Sequence, residues 1–319
     1  MSSHTKLGIW TLIIIVSLVV LAKFSGVSAS KTYSFDFTKG ITLEYTDNVL
    51  REIVERNLKG VEGDFAIFIE NMSGDERYPL AVNEQYPSAS LYKLVLMAAV
   101  LKEEEQGSLK MEDTVSATKA HLTDVLGSVD FGYEDVSGGI EYTIEEALTR
   151  VGRISDNFAA IMLTEKLRRG STFDPLAKMA LELGMENTNL NPKGDELITT
   201  TASDIATFFK KLYKGQVVSK TVSDKIIGFL ALSKINDRIP AQLPKEVKIV
   251  HKTGELSRIR HDAGIVYLDK EVEGASESAV PKKAYLLVML SKNLKYENDG
   301  VEAFANISKE VWEYFSKKI

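Results

Sequence analysis

The sequence predicts an α/β protein of the α+β type, in which an antiparallel sheet flanked by helices lies beside an all-helical lobe. Two observations predict this arrangement. Strand-like segments occur near both ends of the chain, and five segments with helical apolar spacing lie between them. Because the two β-rich ends can pair into one sheet, the middle of the chain is left to form a separate lobe. A cleft between two such lobes is a common place for a ligand site.

The α/β lobe is predicted to begin with a helix and a hairpin. Residues 47–58 carry apolar side chains at helical spacing and end before Gly60. Residues 65–70 and 78–83 then alternate or run apolar on either side of the turn Ser73-Gly74-Asp75. This pattern is typical of two paired strands.

The rest of the chain supplies the helical lobe and the remaining strands. Glycine-bearing loops separate the five predicted central helices, which are 90–105, 143–152, 157–168, 174–183 and 201–213. The next predicted elements are a helix near 221–231, strands at 248–252, 262–268 and 284–290, and a final helix at 300–317. We therefore assign residues 47–87 and 222–319 to the α/β lobe and residues 88–221 to the helical lobe.

The first 29 residues predict export. Lys6 precedes a strongly apolar run from residue 7 to residue 22, and Val27-Ser28-Ala29 offers small residues for signal peptidase. This order is typical of a signal peptide, and an uncleaved membrane anchor is the alternative. Residues 30–46 are interpreted as a linker. Either interpretation places the remaining chain outside the cytoplasmic membrane, anchored or secreted.

Composition excludes several classes of function. The 319 residues carry a net charge of −6 and no clustered basic segment, which argues against nucleic-acid binding. The chain has no cysteine, so thiolate chemistry and disulfides are excluded. The four histidines follow no metal-ligand spacing, and nothing indicates a metal or an organic cofactor.

A serine and a lysine share the first turn of the first central helix. Pro87 and Ser88 are helix-start signals, so Ser90 lies at the helix N-terminus and Lys93 on the same face. A serine hydroxyl is a weak nucleophile unless a base lies within hydrogen-bond reach. A partly desolvated lysine can lose its proton near neutral pH and take that role. We predict that Ser90 is the nucleophile and Lys93 its proton partner.

Two further motifs follow along the chain. Ser155-Asp156-Asn157 precedes a helix, where Ser155 can relay a proton and Asn157 can hold a substrate carbonyl and the lysine. Lys252-Thr253-Gly254 ends a strand, where Lys252 supplies a cation and Thr253 a hydroxyl for a substrate carboxylate. Gly254 lets a ligand approach the backbone closely. Each motif alone is weak, whereas the three in this order are typical of one mechanism.

From about residue 61 onward, the chain resembles the class A β-lactamases and their penicillin-binding relatives. Beyond the motifs, the segments 194–201 and 260–266 are similar to that family. The resemblance implies a serine acyl-enzyme mechanism on β-lactams or on the D-Ala-D-Ala stem peptides of peptidoglycan. It also implies an oxyanion hole formed by the backbone N–H groups of Ser90 and Glu255.

One feature of the class A β-lactamases is missing. They carry a glutamate in an E-x-x-L-N pattern within an omega loop, and this glutamate activates the deacylating water. Here the corresponding segment is short and reads Leu190-Asn191-Pro192-Lys193-Gly194-Asp195. The chain is thus more similar to class A-like D-alanyl-D-alanine peptidases with a shortened loop, which implies slow release of penicillin. Three carboxylates are candidate replacements for the missing base: Glu186, Asp195 and Glu196.

Two arginines and a histidine lie close to the Lys-Thr-Gly motif. Arg258 or Arg260 is expected to bind the substrate carboxylate, with only one of them facing the cleft. His251 is expected to be structural. The alternatives to a peptidase are a β-lactamase with a relocated base, a non-catalytic penicillin-binding sensor, and an esterase or amidase that acts on another acyl group.

Overall fold

A computed structural model describes residues 34–36, 40–42, 46–126, 138–169, 171–172, 174–193, 196–268 and 283–318. The chain divides at Asn48 into two units. In the first unit, β1 (Ser34–Asp36) and β2 (Gly40–Thr42) pair antiparallel. The predicted signal or anchor segment 1–29 lies outside the described residues. Within the described part of the chain, no helix combines the length and apolar character that crossing a bilayer requires.

The second unit is built around a five-stranded antiparallel sheet. Its strands are β3 (Asp64–Asn71), β4 (Arg77–Leu80), β9 (Ile249–Leu256), β10 (Ile259–Tyr267) and β11 (Ala284–Lys292). They lie in the order β4-β3-β11-β10-β9, so strands from both ends of the chain pair as the sequence predicts. The predicted fold class is confirmed.

Helices cover both faces of this sheet. On one face, α1 (Asn48–Leu58) and α9 (Glu297–Ser316) supply apolar residues to a core with Ile67, Tyr285 and Leu287. The opposite face of β10 and β11 joins a larger core that contains most of the central helices. These helices are α2 (Tyr92–Glu105), α3 (Lys119–Leu126), α4 (Ile144–Ile154), α5 (Asn157–Arg168), α6 (Pro175–Glu182), α7 (Ala202–Tyr213) and α8 (Lys220–Ala231).

The structure adds elements that local patterns did not predict. The described part of the second unit has two small antiparallel sheets: β5 (Tyr86–Pro87) with β8 (Thr199–Thr200), and β6 (Thr114–Thr118) with β7 (Gly139–Thr143). The predicted helix 90–105 begins as a 3₁₀ turn, Ala89–Leu91, before α2. The lobe boundaries at residues 87 and 222 stay a prediction, because Val49–Ile319 forms one compact unit.

Candidate active site

A strained turn presents Ser90. Ala89 has a φ of 46°, a conformation that is uncommon for a residue with a side chain. Backbone hydrogen bonds fix the chain on both sides of it: Ser88 N–H donates to Ile198 O at 2.8 Å, and Leu91 N–H donates to Ser88 O at 3.0 Å. The β5–β8 pair and the 3₁₀ turn therefore hold Ser90 at the start of the helical segment.

Lys93 is fully buried, and its amine lies beside the Ser90 hydroxyl. The Nζ–Oγ distance is 3.0 Å, and Nζ also bonds to Asn157 Oδ1 at 2.6 Å and to Ser155 O at 2.5 Å. Burial, and then the nearby charge of Lys252, hold the Lys93 pKa well below its usual value, although Asp156 opposes this shift. A neutral amine in this position can accept the Ser90 proton.

The segment between α4 and α5 places Ser155 and Asn157 against Lys93. Ser155 ends α4 in the left-handed conformation, with a φ of 56°. Asp156 caps α5, because its Oδ1 accepts a hydrogen bond from Ala159 N–H at 3.0 Å. Its Oδ2 accepts one from Arg150 Nε at 2.7 Å. Asp156 therefore supports the loop, while its two neighbours contact the lysine.

Lys252, which lies on β9, also contacts Ser155. Its Nζ donates to Ser155 Oγ at 2.7 Å and to Thr253 O at 2.8 Å. Ser155 Oγ also lies 3.3 Å from Lys93 Nζ, so one hydroxyl bridges two lysines. Burial is the largest cause that lowers the Lys252 pKa, to about 7, despite the opposing charge of Asp262. The arrangement forms a short path for a proton between the two amines.

Residues of the three motifs line a cavity of about 260 Å³. Its described lining includes Ser90, Ser155, Asn157, Thr253 and Glu255. Gly254 lies in β9, an outer strand of the sheet, and contacts the Ser90 turn. A Cβ atom at Gly254 would lie only 3.2 Å from Ala89 Cβ. The structure thus brings together the sequence-predicted residues of all three motifs and Glu255.

Arg258 and Arg260 do not reach this cavity, contrary to the expectation for one of them. Arg258 occupies the turn between β9 and β10 with a φ of 60°, and its guanidinium donates to Asn293 O and Leu294 O. Arg260 donates to Leu256 O and Ile259 O and pairs with Glu297 at the start of α9. Nearby backbone carbonyls and Glu297 satisfy both guanidinium groups, which draws them away from the cleft.

Arg238 is a fully buried arginine in the loop between α8 and β9, and the sequence did not predict a role for it. It pairs with Asp237 and with Glu255, and its Nη1 donates to His261 O at 3.1 Å. The charge of Asp262 and these bonds raise its pKa, although burial, the largest single influence, opposes the rise. No local pattern marks a loop arginine as buried, because its partners lie on β9 and β10. Arg238 holds Glu255 beside the cavity.

Neither described candidate for a replacement base lines the cavity. Glu186 and Glu196 are exposed, and Asp195 lies outside the described residues. The described cavity lining contains two carboxylates, Asp156 and Glu255, and an arginine engages each of them. Their oxygens are already engaged as hydrogen-bond acceptors: Asp156 accepts from Ala159 N–H and Arg150, and Glu255 Oε1 accepts from Arg238.

Of the described histidines, His251 has a structural partner and His121 lies on the surface. His251 Nδ1 lies 2.8 Å from Asp262 Oδ1 within the sheet, both side chains being buried. His121 pairs with Glu165 on the surface. Among the described residues, no cluster of three or more His, Asp or Glu side chains could hold a metal ion.

Known proteins resemble this chain in sequence and in fold. A family model described as the β-lactamase enzyme family matches residues 48–315. The β-lactamase VEB-1 of Pseudomonas aeruginosa is 23% identical over 301 residues, which cover 89% of this chain and 96% of VEB-1.

Solved structures share the fold at similarly low identity. A β-lactamase from Sphaerobacter thermophilus has a TM-score of 0.69 and 21% identity, covering 85% of this chain and 97% of that one. The structure of PBP-A has a TM-score of 0.68 and 23% identity, covering 85% and 96%. A PBP-A mutant in an acyl-enzyme complex with penicillin G has a TM-score of 0.67 and 22% identity, covering 85% and 97%.

Proposed function

The chain belongs to the β-lactamase enzyme family of serine hydrolases, and from this premise we propose that it is a peptidase for peptides ending in D-Ala-D-Ala. The natural substrates would be stem peptides of peptidoglycan. β-Lactams would acylate the same serine and leave it slowly. The observation that carries this proposal is the engagement of both described cavity carboxylates by arginines, which leaves neither as a base for deacylation.

Acylation follows from the contacts around Ser90. Its Oγ attacks the carbonyl carbon of the penultimate D-Ala as Lys93 Nζ accepts the hydroxyl proton across 3.0 Å. The N–H groups of Ser90 and Glu255 stabilise the tetrahedral oxyanion. Ser155 Oγ donates a proton to the departing amine and is resupplied by Lys93, which holds the proton taken from Ser90. The products are the Ser90 ester and free D-Ala.

Deacylation separates the two substrate classes. After a peptide reacts, D-Ala leaves, and water or an amine acceptor enters from the side of Ser155 and runs the proton transfers in reverse. After a β-lactam reacts, the opened ring stays attached and occupies that side. Water must then approach elsewhere, and the loss of a general base costs ~10²–10⁴-fold in rate.

Substrate binding requires a cation for the C-terminal carboxylate. Lys252 and Thr253 provide the ammonium and hydroxyl beside Ser155. Asn157, whose side-chain oxygen accepts from Lys93, has an amide nitrogen to offer the carbonyl of the acyl group. These roles favour an anionic peptide over a general ester substrate.

Release of D-Ala tests this function. The purified protein is incubated with a tripeptide ending in D-Ala-D-Ala, and free D-Ala is measured. We expect the wild type to release D-Ala and Ser90→Ala to release none. The wild type should release no L-Ala from the matched peptide ending in L-Ala-L-Ala. Failure of the wild type to release D-Ala while Ser90 remains reactive toward penicillin would contradict the peptidase assignment.

A β-lactamase is the second candidate, favoured by the match to VEB-1 over most of both chains. It requires a base that the described cavity lining does not supply. Asp195, outside the described residues, is the remaining sequence candidate. Fast penicillin turnover that is lost in Asp195→Asn would support this alternative.

We also place the enzyme outside the cytoplasmic membrane, because peptidoglycan lies there and residues 1–29 have the order of an export signal. Whether these residues are cleaved or anchor the protein decides between a secreted and a membrane-attached form. Fractionation of the producing cells, with mass determination of the N-terminus, distinguishes the two; recovery in the cytoplasm would contradict export.

A further inference from the structure

His261 is a buried histidine that none of the three motifs includes. It lies on β10, directly opposite Gly254 of β9, and its side chain is fully buried. Its Nε2 lies 2.8 Å from Pro87 O, and Ser291 N–H donates to its Nδ1 at 3.1 Å. One ring thus joins β10 and β11 to the segment that leads into Ser90.

The two hydrogen bonds fix the state of the ring. A carbonyl oxygen only accepts and a backbone N–H only donates, so Nε2 carries the proton and Nδ1 does not. Burial, opposed by the bonds to backbone, lowers the pKa of His261 to about 4. The ring is therefore neutral near pH 7 and acts as a rigid connector with one donor and one acceptor.

The ring also lies behind both N–H groups of the proposed oxyanion hole. Ala89 and Gly254 are the residues immediately before Ser90 and Glu255. A Cβ atom at Gly254 would lie 3.1 Å from His261 Cδ2 and 3.2 Å from Ala89 Cβ. The two peptide units that carry the donors are therefore packed together beside this ring.

The Ser90 turn needs such an anchor. The positive φ of Ala89 costs free energy, and strained residues persist only where surrounding contacts over-determine them. The bond from His261 to Pro87 O lies two residues before Ala89 and ties the turn to the central sheet. If this bond is lost, the turn can relax and displace Ser90 N–H relative to Glu255 N–H.

We propose that His261 is a positioning residue that sets the separation of the two oxyanion-hole N–H groups. This role rests on the proposed acylation of Ser90. It predicts a specific kinetic pattern, because the hole contacts charge that develops only in the transition state. Loss of His261 should therefore slow acylation without weakening noncovalent binding.

Two substitutions test the role. His261→Phe keeps a ring but removes both hydrogen bonds, whereas His261→Gln retains a donor and an acceptor. The readouts are the rate of penicillin acylation of Ser90, followed by intact mass, and the affinity for a boronic acid that forms a tetrahedral Ser90 adduct. The noncovalent affinity for a D-Ala-D-Ala peptide is measured on Ser90→Ala forms.

Complete removal of one oxyanion donor costs ~10²–10³-fold in rate, so displacement should cost less, about 10-fold. We expect His261→Phe to lose this much in both acylation rate and boronic-acid affinity. His261→Gln should recover nearly the wild-type values. The peptide affinity of both variants should be unchanged. Should the Phe variant not fold, His261→Asn replaces it, because its shorter side chain cannot span both partners. That variant should show the same selective loss.

Tyr86→Phe is the matched control. The Tyr86 ring packs edge-on to His261 at 6.4 Å, and its buried hydroxyl has no hydrogen-bond partner among the described residues. This variant should acylate at the wild-type rate. The positioning role would be overturned if His261→Phe acylated at the wild-type rate. It would also be overturned if His261→Phe lost acylation rate and peptide affinity equally and His261→Gln restored neither. An unreactive wild type would instead refute the proposed function and this role with it.

Discussion

Replacing Lys93 by methionine is expected to slow penicillin acylation of Ser90 by about 10²–10⁴-fold, the usual contribution of a general base. Methionine has a similar length but cannot accept the Ser90 proton. Backbone hydrogen bonds hold the Ser90 turn on both sides, so Ser90 should stay in place. The measurement is the second-order rate constant of adduct formation, determined by intact mass.

The control for this substitution is Lys102→Met on the same helix. Lys102 pairs with Glu182 outside the catalytic cavity, so its loss should leave acylation unchanged. A Lys93→Met variant that folds and acylates at the rate of Lys102→Met would show that another group accepts the proton.

Replacing Lys252 by methionine is expected to reduce acylation by a D-Ala-D-Ala peptide by about 10–100-fold, since a hydrogen bond to a charged group contributes ~1.5–3 kcal/mol. The loss should depend on the substrate carboxylate. A peptide whose C-terminus is amidated should react slowly with the wild type and lose little more with the variant. Equal losses for the free acid and the amide would contradict recognition by Lys252.

The same variant should change the pH profile of kcat/KM. Lys252 binds the carboxylate as a cation, and its pKa of about 7 means that this binding weakens as the pH rises through 7 in the free enzyme. Lys93 must be neutral, so the rising limb follows its lowered pKa. Lys252→Met should remove the falling limb. It should also move the rising limb to higher pH, because the charge that disfavours protonated Lys93 is gone.

Much of the site was predictable because its chemistry lies in short local motifs. Ser90 and Lys93 share one helical turn, and Lys252-Thr253-Gly254 follows from a strand pattern. The sheet was predictable for a similar reason, since apolar strands at both ends of the chain need partners. Local spacing does not encode how the three motifs converge, and the structure provides that information.

The residues whose roles could not be predicted from the sequence act through contacts that are distant along the chain. Arg238 is buried because Glu255 and His261 O lie across a loop, and His261 contacts Pro87, which is 174 residues away. The expectation for Arg258 and Arg260 was wrong because Glu297 of α9 and the backbone just after β11 accept hydrogen bonds from them. Side-chain direction at a hairpin end depends on these neighbours more than on strand alternation.

In the proposed mechanism, a β-lactam acylates Ser90 readily and leaves it slowly. The most direct measurement is the lifetime of the adduct after a short pulse of fluorescent penicillin and removal of excess drug, with Ser90→Ala as control. Label that remains on Ser90 for hours and is absent from the variant is the expected result. Label that disappears within seconds while free penicillin is consumed catalytically would contradict the claim and identify the enzyme as a β-lactamase.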